Sequence, residues 1–437
     1  MRLGGRLAAA IEVLQDVEAR RRPVADALKD WGLSHRFAGS GDRAAIGNLV
    51  YDALRKKRSY GFRMGDDGAV ALGFAAVIDG LAIAPAELAA ALEGDRFAPD
   101  MPSEEQLQRF TAADLGEAPE AVRADVPDWL AEKLNASLGE DWVEEAAALA
   151  ERPPLDLRAN TLKADREKVL KALAPLGATA ADLAPDGMRI AAIAGAGRHP
   201  NVQVEAGFQK GWFEVQDEGS QLAALLAGAA SGEQVLDLCA GAGGKSLALA
   251  AGMDNTGQIH AADHDRQRLA PIYERLARAG SRNVQVHDPR EDMTDIFGRM
   301  DLTLVDAPCT GSGTWRRRPD AKWRLTENAL AKRVEEQDAV LDRAARFVRP
   351  GGRLAYVTCS LIAEENAGRI AAFLERHAGE GFTVADAGAR WNDLLPHGAG
   401  RCHVTALAGG TVITMTPRLT GTDGFFFALL QRSERTG

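Results

Sequence analysis

The chain has 437 residues, of which 46% are hydrophobic and 26% charged. At roughly 150 residues per domain this predicts two or three domains with ample cores, which excludes a disordered chain, a collagen-like repeat and a disulfide-stapled miniprotein. The formal charge of −10 argues at first against a nucleic-acid partner, but it is unevenly spread. Residues 1–65 carry 13 Lys/Arg against 7 Asp/Glu, residues 66–150 carry 4 against 19, and the remainder carries 35 against 36. One acidic stretch therefore sets the total, and the rest of the chain remains compatible with RNA or DNA.

Residues 1–145 read as a helical domain. Leu7, Ile11, Leu14 and Val17 recur at helical spacing, as do Ile46, Val50 and Leu54 ahead of the basic cluster Arg55-Lys56-Lys57-Arg58. Ala/Leu-rich helical pieces continue to about Leu149, broken by prolines. Glu12 and Asp16 interrupt the apolar start, and Asp79 and Glu87 interrupt the apolar window 69–92, so neither a signal peptide nor a membrane span is expected. Arg152-Pro153-Pro154 marks a boundary, and residues 150–215 read as a small α+β segment.

From Gln216 onward strands alternate with helices. Val235–Leu238, Gln258–Ala262, Asn283–Val286, Leu302–Val305 and Arg353–Val357 are short apolar runs, separated mostly by helical stretches such as Arg266–Ala279 and Glu327–Phe347. That alternation predicts a doubly wound α/β sheet over 216–437, with ligands at the carboxyl ends of its strands. Two late strands, near Thr411–Met415 and Gly424–Leu430, have no helix between them and predict an antiparallel edge pair. The four cysteines, Cys239, Cys309, Cys359 and Cys402, lie far apart, with no C-x-x-C pair and no zinc-finger histidine. Neither a metal nor a disulfide framework is expected, and the reading is of a cytoplasmic, reduced monomer with no membrane partner.

The first strand runs into Cys239-Ala240-Gly241-Ala242-Gly243-Gly244-Lys245-Ser246. A Walker A loop needs glycine where Cys239 stands, and a dinucleotide fingerprint needs one at Ser246. A third reading is S-adenosylmethionine (SAM), whose methionine and ribose parts glycines let the backbone approach. The second strand ends in Asp263, suited to ribose hydroxyls, and the third in Asp288, suited to the adenine edge. An acidic rim favours a sulfonium cation and opposes a triphosphate. Single glycines or aspartates often do no more than end strands, but three successive strand ends favour SAM.

The fourth strand leads into Asp306-Ala-Pro-Cys309-Thr-Gly-Ser-Gly313 and the fifth into Thr358-Cys359-Ser360, which puts both cysteines on the same sheet edge as the glycine loop. A lone cysteine is usually a small core hydrophobe, and Cys402 and Cys239 fit that description. These strings resemble the RsmB/Sun/NOP class of SAM-dependent RNA (cytosine-5) methyltransferases. Gln216-Asp217-Glu-Gly-Ser220-Gln221, Arg316-Arg-Arg-Pro-Asp320-Ala-Lys322-Trp323, Arg158-Ala-Asn160-Thr-Leu162-Lys163 and Thr422-Asp-Gly-Phe-Phe426 match as well. The resemblance runs from about Asp128 to the C-terminus, while the helical start resembles a NusB-type RNA-binding domain. Ala242 stands where the class usually has proline.

The resemblance implies a class I SAM-methyltransferase fold, a small RNA-recognition-like segment, and RNA, ribosomal RNA in particular, as substrate. Cytosine C5 is too weakly nucleophilic to take a methyl group unaided, and a thiolate added at C6 makes it enamine-like. By resemblance Cys359 is that nucleophile and Cys309 assists breakdown of the adduct, whereas spacing alone leaves the two interchangeable. Asp306 is placed to bond N3 and the exocyclic amine and, in the class, borders the SAM site, while Lys245 orients groups in it. The loop Cys239–Lys245 with Asp263, Asp288 and Asp306 forms the expected cofactor set. Arg316, Arg317, Arg318 and Lys322, interleaved with Trp315 and Trp323, predict phosphate contact and base stacking. The competing readings are a P-loop-like ATPase and a non-catalytic RNA-binding assembly factor.

Overall fold

The computed structural model describes residues 1–434, which divide into two compact units. The first comprises Met1–Pro153 together with Ala192–His199 and Thr314–Leu325; the second comprises Pro154–Ala191, Pro200–Gly313 and the chain from Thr326 onward.

The first unit is helical. Apolar residues at three- and four-residue spacing give helices Leu3–Arg20 and Ser40–Arg55 one buried face each, whereas Ala69–Gly80 is buried on nearly every side. Leu7, Ile11, Ile46, Val50, Phe74 and Val77 meet in a common core. Gly73 permits the closest approach, since a Cβ there would lie 2.8 Å from Ile11 Cγ1. The apolar window 69–92 is thus a core helix followed by a second helix, Pro85–Leu92. No single helix among the described residues is long and apolar enough to cross a membrane.

The acidic stretch has a structural use inside this unit. Asp79 accepts from Lys56 at 3.1 Å and from the Tyr60 hydroxyl at 2.8 Å. Asp125 caps the chain turn at Arg58 and Ser59, and Asp128 pairs with Arg58 at 2.8 Å. Arg55 is buried and bonds Asp52 and the Arg316 carbonyl, each at 2.7 Å. The Arg55–Arg58 cluster is therefore largely neutralised at home.

The second unit contains two sheets. In the smaller, β1 (Leu155–Ala159), β2 (Ala178–Ala180), β3 (Gly187–Ile190) and β4 (Phe213–Val215) run antiparallel in the order β2-β3-β1-β4. The larger is built on five parallel strands: β5 (Gln234–Asp237), β6 (Gln258–Ala261), β7 (Val284–Val286), β8 (Met300–Asp306) and β9 (Val348–Thr358). Their spatial order is β9-β8-β5-β6-β7, so the winding reverses at β5, between β6 and β8. That reversal opens a crevice at the carboxyl ends of β5 and β8.

The expected antiparallel pair exists as β12 (Gly410–Met415) and β13 (Phe425–Arg432), but it is not at the edge. β13 inserts beside β9, with Phe426 opposite Thr358, and also takes the short β10 (Phe382–Val384). The true edge is β11 (His403–Leu407), whose side chains are mostly exposed and so carried no apolar signal.

Candidate active site

The glycine loop turns directly from β5 into helix Gly244–Gly252. Gly241 and Gly243 have φ of 49° and 82°, a region where side chains are strained. At Gly243 an added Cβ would also press to 2.5 Å from Ile272, whereas over Gly241 the nearest atom is 3.6 Å away. The loop is thus pinned on one face and open on the other. Arg275 donates to the Ala242 carbonyl at 2.8 Å, and Ala240 N bonds the Ala262 carbonyl at 2.9 Å. Cys239 is buried, and burial pushes its thiol well above the usual range, as suits a packing residue.

Asp263 stands one residue beyond β6, where its Oδ2 accepts from Gly241 N and its Oδ1 from Asp265 N, both at 2.9 Å. It therefore clasps the glycine loop from the end of β6. Asp288 lies two residues past β7, where the Arg290 side chain and backbone N–H hold its carboxyl down to about 2. Beneath the loop, burial pushes Asp237 up to about 7, with Ser246 donating to Oδ2 at 2.6 Å and Oδ1 lacking a donor.

The ends of β8 and β9 bring the expected reactive residues together. Lys245 is buried and donates to Asp306 Oδ2 at 2.7 Å. Cys309 Sγ lies 3.4 Å from Cys359 Sγ, and both cysteines are half-buried. The Cys359 contact, reinforced by burial, pushes the Cys309 thiol well above its ordinary value.

The two loops are laced side by side. Gly313 N bonds the Cys359 carbonyl at 2.9 Å, Leu361 N bonds Ser312 Oγ at 2.7 Å, and Ser312 and Ser360 hydroxyls meet at 3.0 Å. A Cβ on Gly313 would fall 2.1 Å from the Gly424 carbonyl, so only glycine admits this crossing. Three residues that sequence reasoning missed complete the lacing: Gln337, Glu365 and Asn366. Asn366 ties Thr358 Oγ1 to the Ser360 carbonyl, at 2.5 and 2.8 Å. No spacing rule flags these residues, although a Glu-Glu-Asn run so soon after Cys359 is an unusual polar interruption.

Other matched strings prove structural. Asp217 caps helix Glu218–Ala227 and accepts from Asp423 N at 3.1 Å, joining Gln216–Gln221 to Thr422–Phe426. Arg158 bonds Gln216 at 2.7 Å, and Asn160 bonds the Gly211 and Ala279 carbonyls at 2.8 Å each.

The basic run after Cys309 requires correction. Thr314–Leu325 belongs to the helical unit, where Trp315, Arg316 and Lys322 are buried. Lys322 Nζ donates to the Arg55 carbonyl at 3.3 Å and lies 4.7 Å from the Trp323 ring, whose Nε1 bonds the Leu54 carbonyl at 2.7 Å. Arg316 and Lys322 are therefore packing groups, not phosphate contacts, and Arg317 is only half-exposed. Arg318 alone of the four expected contacts is fully exposed.

A doubly wound sheet with this glycine loop at its winding reversal and a carboxylate after each neighbouring strand defines a SAM-dependent methyltransferase fold. The family model described as 16S rRNA methyltransferase RsmB/F matches residues 224–431, and the RsmF/B-like ferredoxin-like domain matches residues 126–194. The ribosomal RNA small subunit methyltransferase B of Sodalis glossinidius is 36% identical over 277 residues, 62% of each chain. The "probable ribosomal RNA small subunit methyltransferase B" of Synechocystis sp. is 33% identical over 318 residues, covering 70% of this chain and 67% of that one. The crystal structure of PH0851 superposes with a TM-score of 0.71 at 24% identity, covering 99% of both chains. The chain belongs to the RsmB/F methyltransferase family.

Proposed function

We propose that the protein methylates C5 of a cytosine in RNA, ribosomal RNA by kinship with its relatives, with SAM as donor and a cysteine adduct as intermediate. The observation that carries this reading is the pair of thiols 3.4 Å apart at adjoining strand ends, on the same sheet edge as the Lys245–Asp306 pair. SAM supplies an electrophilic methyl group when bound. The open face over Gly241, together with Asp263 and Asp288, suits its ribose and adenine parts.

Cys359 is the nucleophile in this scheme. Its thiolate forms an S–C6 bond, and the displaced electron pair makes C5 nucleophilic. The Asp306 carboxyl, which accepts from Lys245 at 2.7 Å, bonds the exocyclic amine and shares a proton with N3 of the base. After C5 gains the methyl group, a base drawn from solvent takes its proton, the C5–H electron pair re-forms the C5=C6 bond, and the S–C6 bond breaks to return the Cys359 thiolate. Cys309, 3.4 Å from Cys359, is within reach of the departing sulfur and assists its release. A base must leave its stack to reach these thiols, so the target is single-stranded or extruded.

Incubation with SAM carrying a labelled methyl group and small-subunit ribosomal RNA, followed by nucleoside digestion, tests this. Label in 5-methylcytidine is expected. Label confined to another nucleoside, or its absence under conditions that saturate SAM, overturns the reading.

A further inference from the structure

The two thiols sit on separate loops, and strand pairing alone does not set their separation, because both loops begin where the β8–β9 ladder ends. One side chain spans them. Glu365 is fully buried, and its Oε1 accepts from Thr310 N at 2.8 Å and from Gln337 Nε2 at 3.0 Å. Its Oε2 accepts from Thr310 Oγ1 at 2.5 Å and from Ser360 Oγ. Gln337, also fully buried, donates to the Pro308 carbonyl at 2.8 Å as well. The residues on both sides of Cys309 and the residue after Cys359 are thus tied to one carboxylate. Its own carbonyl receives the buried Tyr356 hydroxyl at 2.7 Å, which fixes the backbone from which it projects.

We propose that Glu365 is a positioning residue that sets the separation of the Cys309 and Cys359 thiols. A buried carboxylate is tolerated only where donors satisfy it, and here every donor except Gln337 belongs to a cysteine-bearing loop. Its catalytic meaning rests on the proposed function, but the positioning itself does not. The chemistry of the knot also says which substitutions break it. Two donors on Oε1 are fixed N–H groups, whereas both on Oε2 are hydroxyls that can rotate to accept. Glutamine with its oxygen at the Oε1 place keeps every bond, so Glu365→Gln preserves the geometry, while Glu365→Ala releases both loops.

Thiol pairing reads this directly. With 4,4′-dithiodipyridine as oxidant, Cys309 and Cys359 lose two protons and two electrons to form a disulfide, and the reagent is reduced to two thiopyridones. The wild type and Glu365→Gln should form this disulfide at rates within about threefold of each other. Glu365→Ala should be slower by about tenfold or more, with kcat about 100-fold lower and KM for SAM unchanged, since displacement of about 1 Å has such effects. Thr310→Val and Ser360→Ala, which each remove one donor, should show smaller losses and serve if Glu365→Ala does not fold. Pairing at the wild-type rate in Glu365→Ala, or in both donor variants, overturns the proposal, as does a Gln variant that behaves like Ala. Wild-type protein that pairs its thiols as expected but transfers no methyl group to cytosine defeats the proposed function and leaves the positioning role standing.

Discussion

The residues on either side of Gly313 are equally suggestive as sequence, yet they fold into different compact units. Asp306–Gly313 remains at the sheet edge, its polar groups paired with β9, Glu365 and Lys245, and its thiol half-exposed. Trp315–Arg324, a run rich in arginine and tryptophan, lies in the helical unit with Trp315 and Lys322 almost wholly buried. Basic-aromatic composition is shared by nucleic-acid contacts and by interior cation–π packing; burial and hydrogen-bond partners separate them. The same lesson applies to the Arg55–Arg58 cluster, whose charge is spent on Asp52, Asp79 and Asp128.

The comparison can be broken most severely at Asp306. Asp306→Asn removes the carboxylate that pairs with Lys245 and that the proposed scheme sets against the base, so kcat should fall by about 10²–10³-fold, the scale for a lost group that stabilises transition-state charge. Steady-state methyl transfer at saturating SAM checks this, and a loss under tenfold would place Asp306 outside the reacting centre.

On the other side of the comparison, Lys322→Met should act on stability and not on RNA. Burial holds the Lys322 ammonium down to about 8. Between that value and the ordinary lysine value near 10.4 the unfolded chain binds more protons than the folded one, so this residue makes stability rise with pH across that window. Chemical denaturation at pH 7.5 and pH 10 should show the rise in wild type, on the order of 2 kcal/mol, and its disappearance in the variant. RNA affinity should change less than about twofold. The smallest effect is expected at Arg318, which is exposed: Arg318→Ala should lower the salt slope of RNA binding by about 1. An unchanged slope would remove Arg318, the most exposed of the four basic residues, from the RNA surface.

Much of the catalytic edge was legible because strand ends in a doubly wound sheet converge, so Gly241, Asp263, Asp306, Cys309 and Cys359 could be assigned to one edge before any distance was known. What the sequence could not show was which polar residues face inward. Glu365 and Gln337 look like ordinary surface residues, yet both are fully buried, because each has partners in the Cys309 loop, 55 and 29 positions away. Lys322 and Arg316 misled for the converse reason. β11 escaped notice because an edge strand with exposed side chains has no apolar alternation to read, and β13 seemed peripheral because pairing with β9 spans about 70 residues of sequence.

The central claim, that Cys359 attacks the base while Cys309 releases it, is tested most directly by trapping. RNA carrying the target cytosine is incubated with SAM and the Cys309→Ala or Cys359→Ala protein, then resolved on a denaturing gel. The account predicts a covalent protein–RNA band with Cys309→Ala and none with Cys359→Ala. The opposite pattern would make Cys309 the nucleophile and contradict the account.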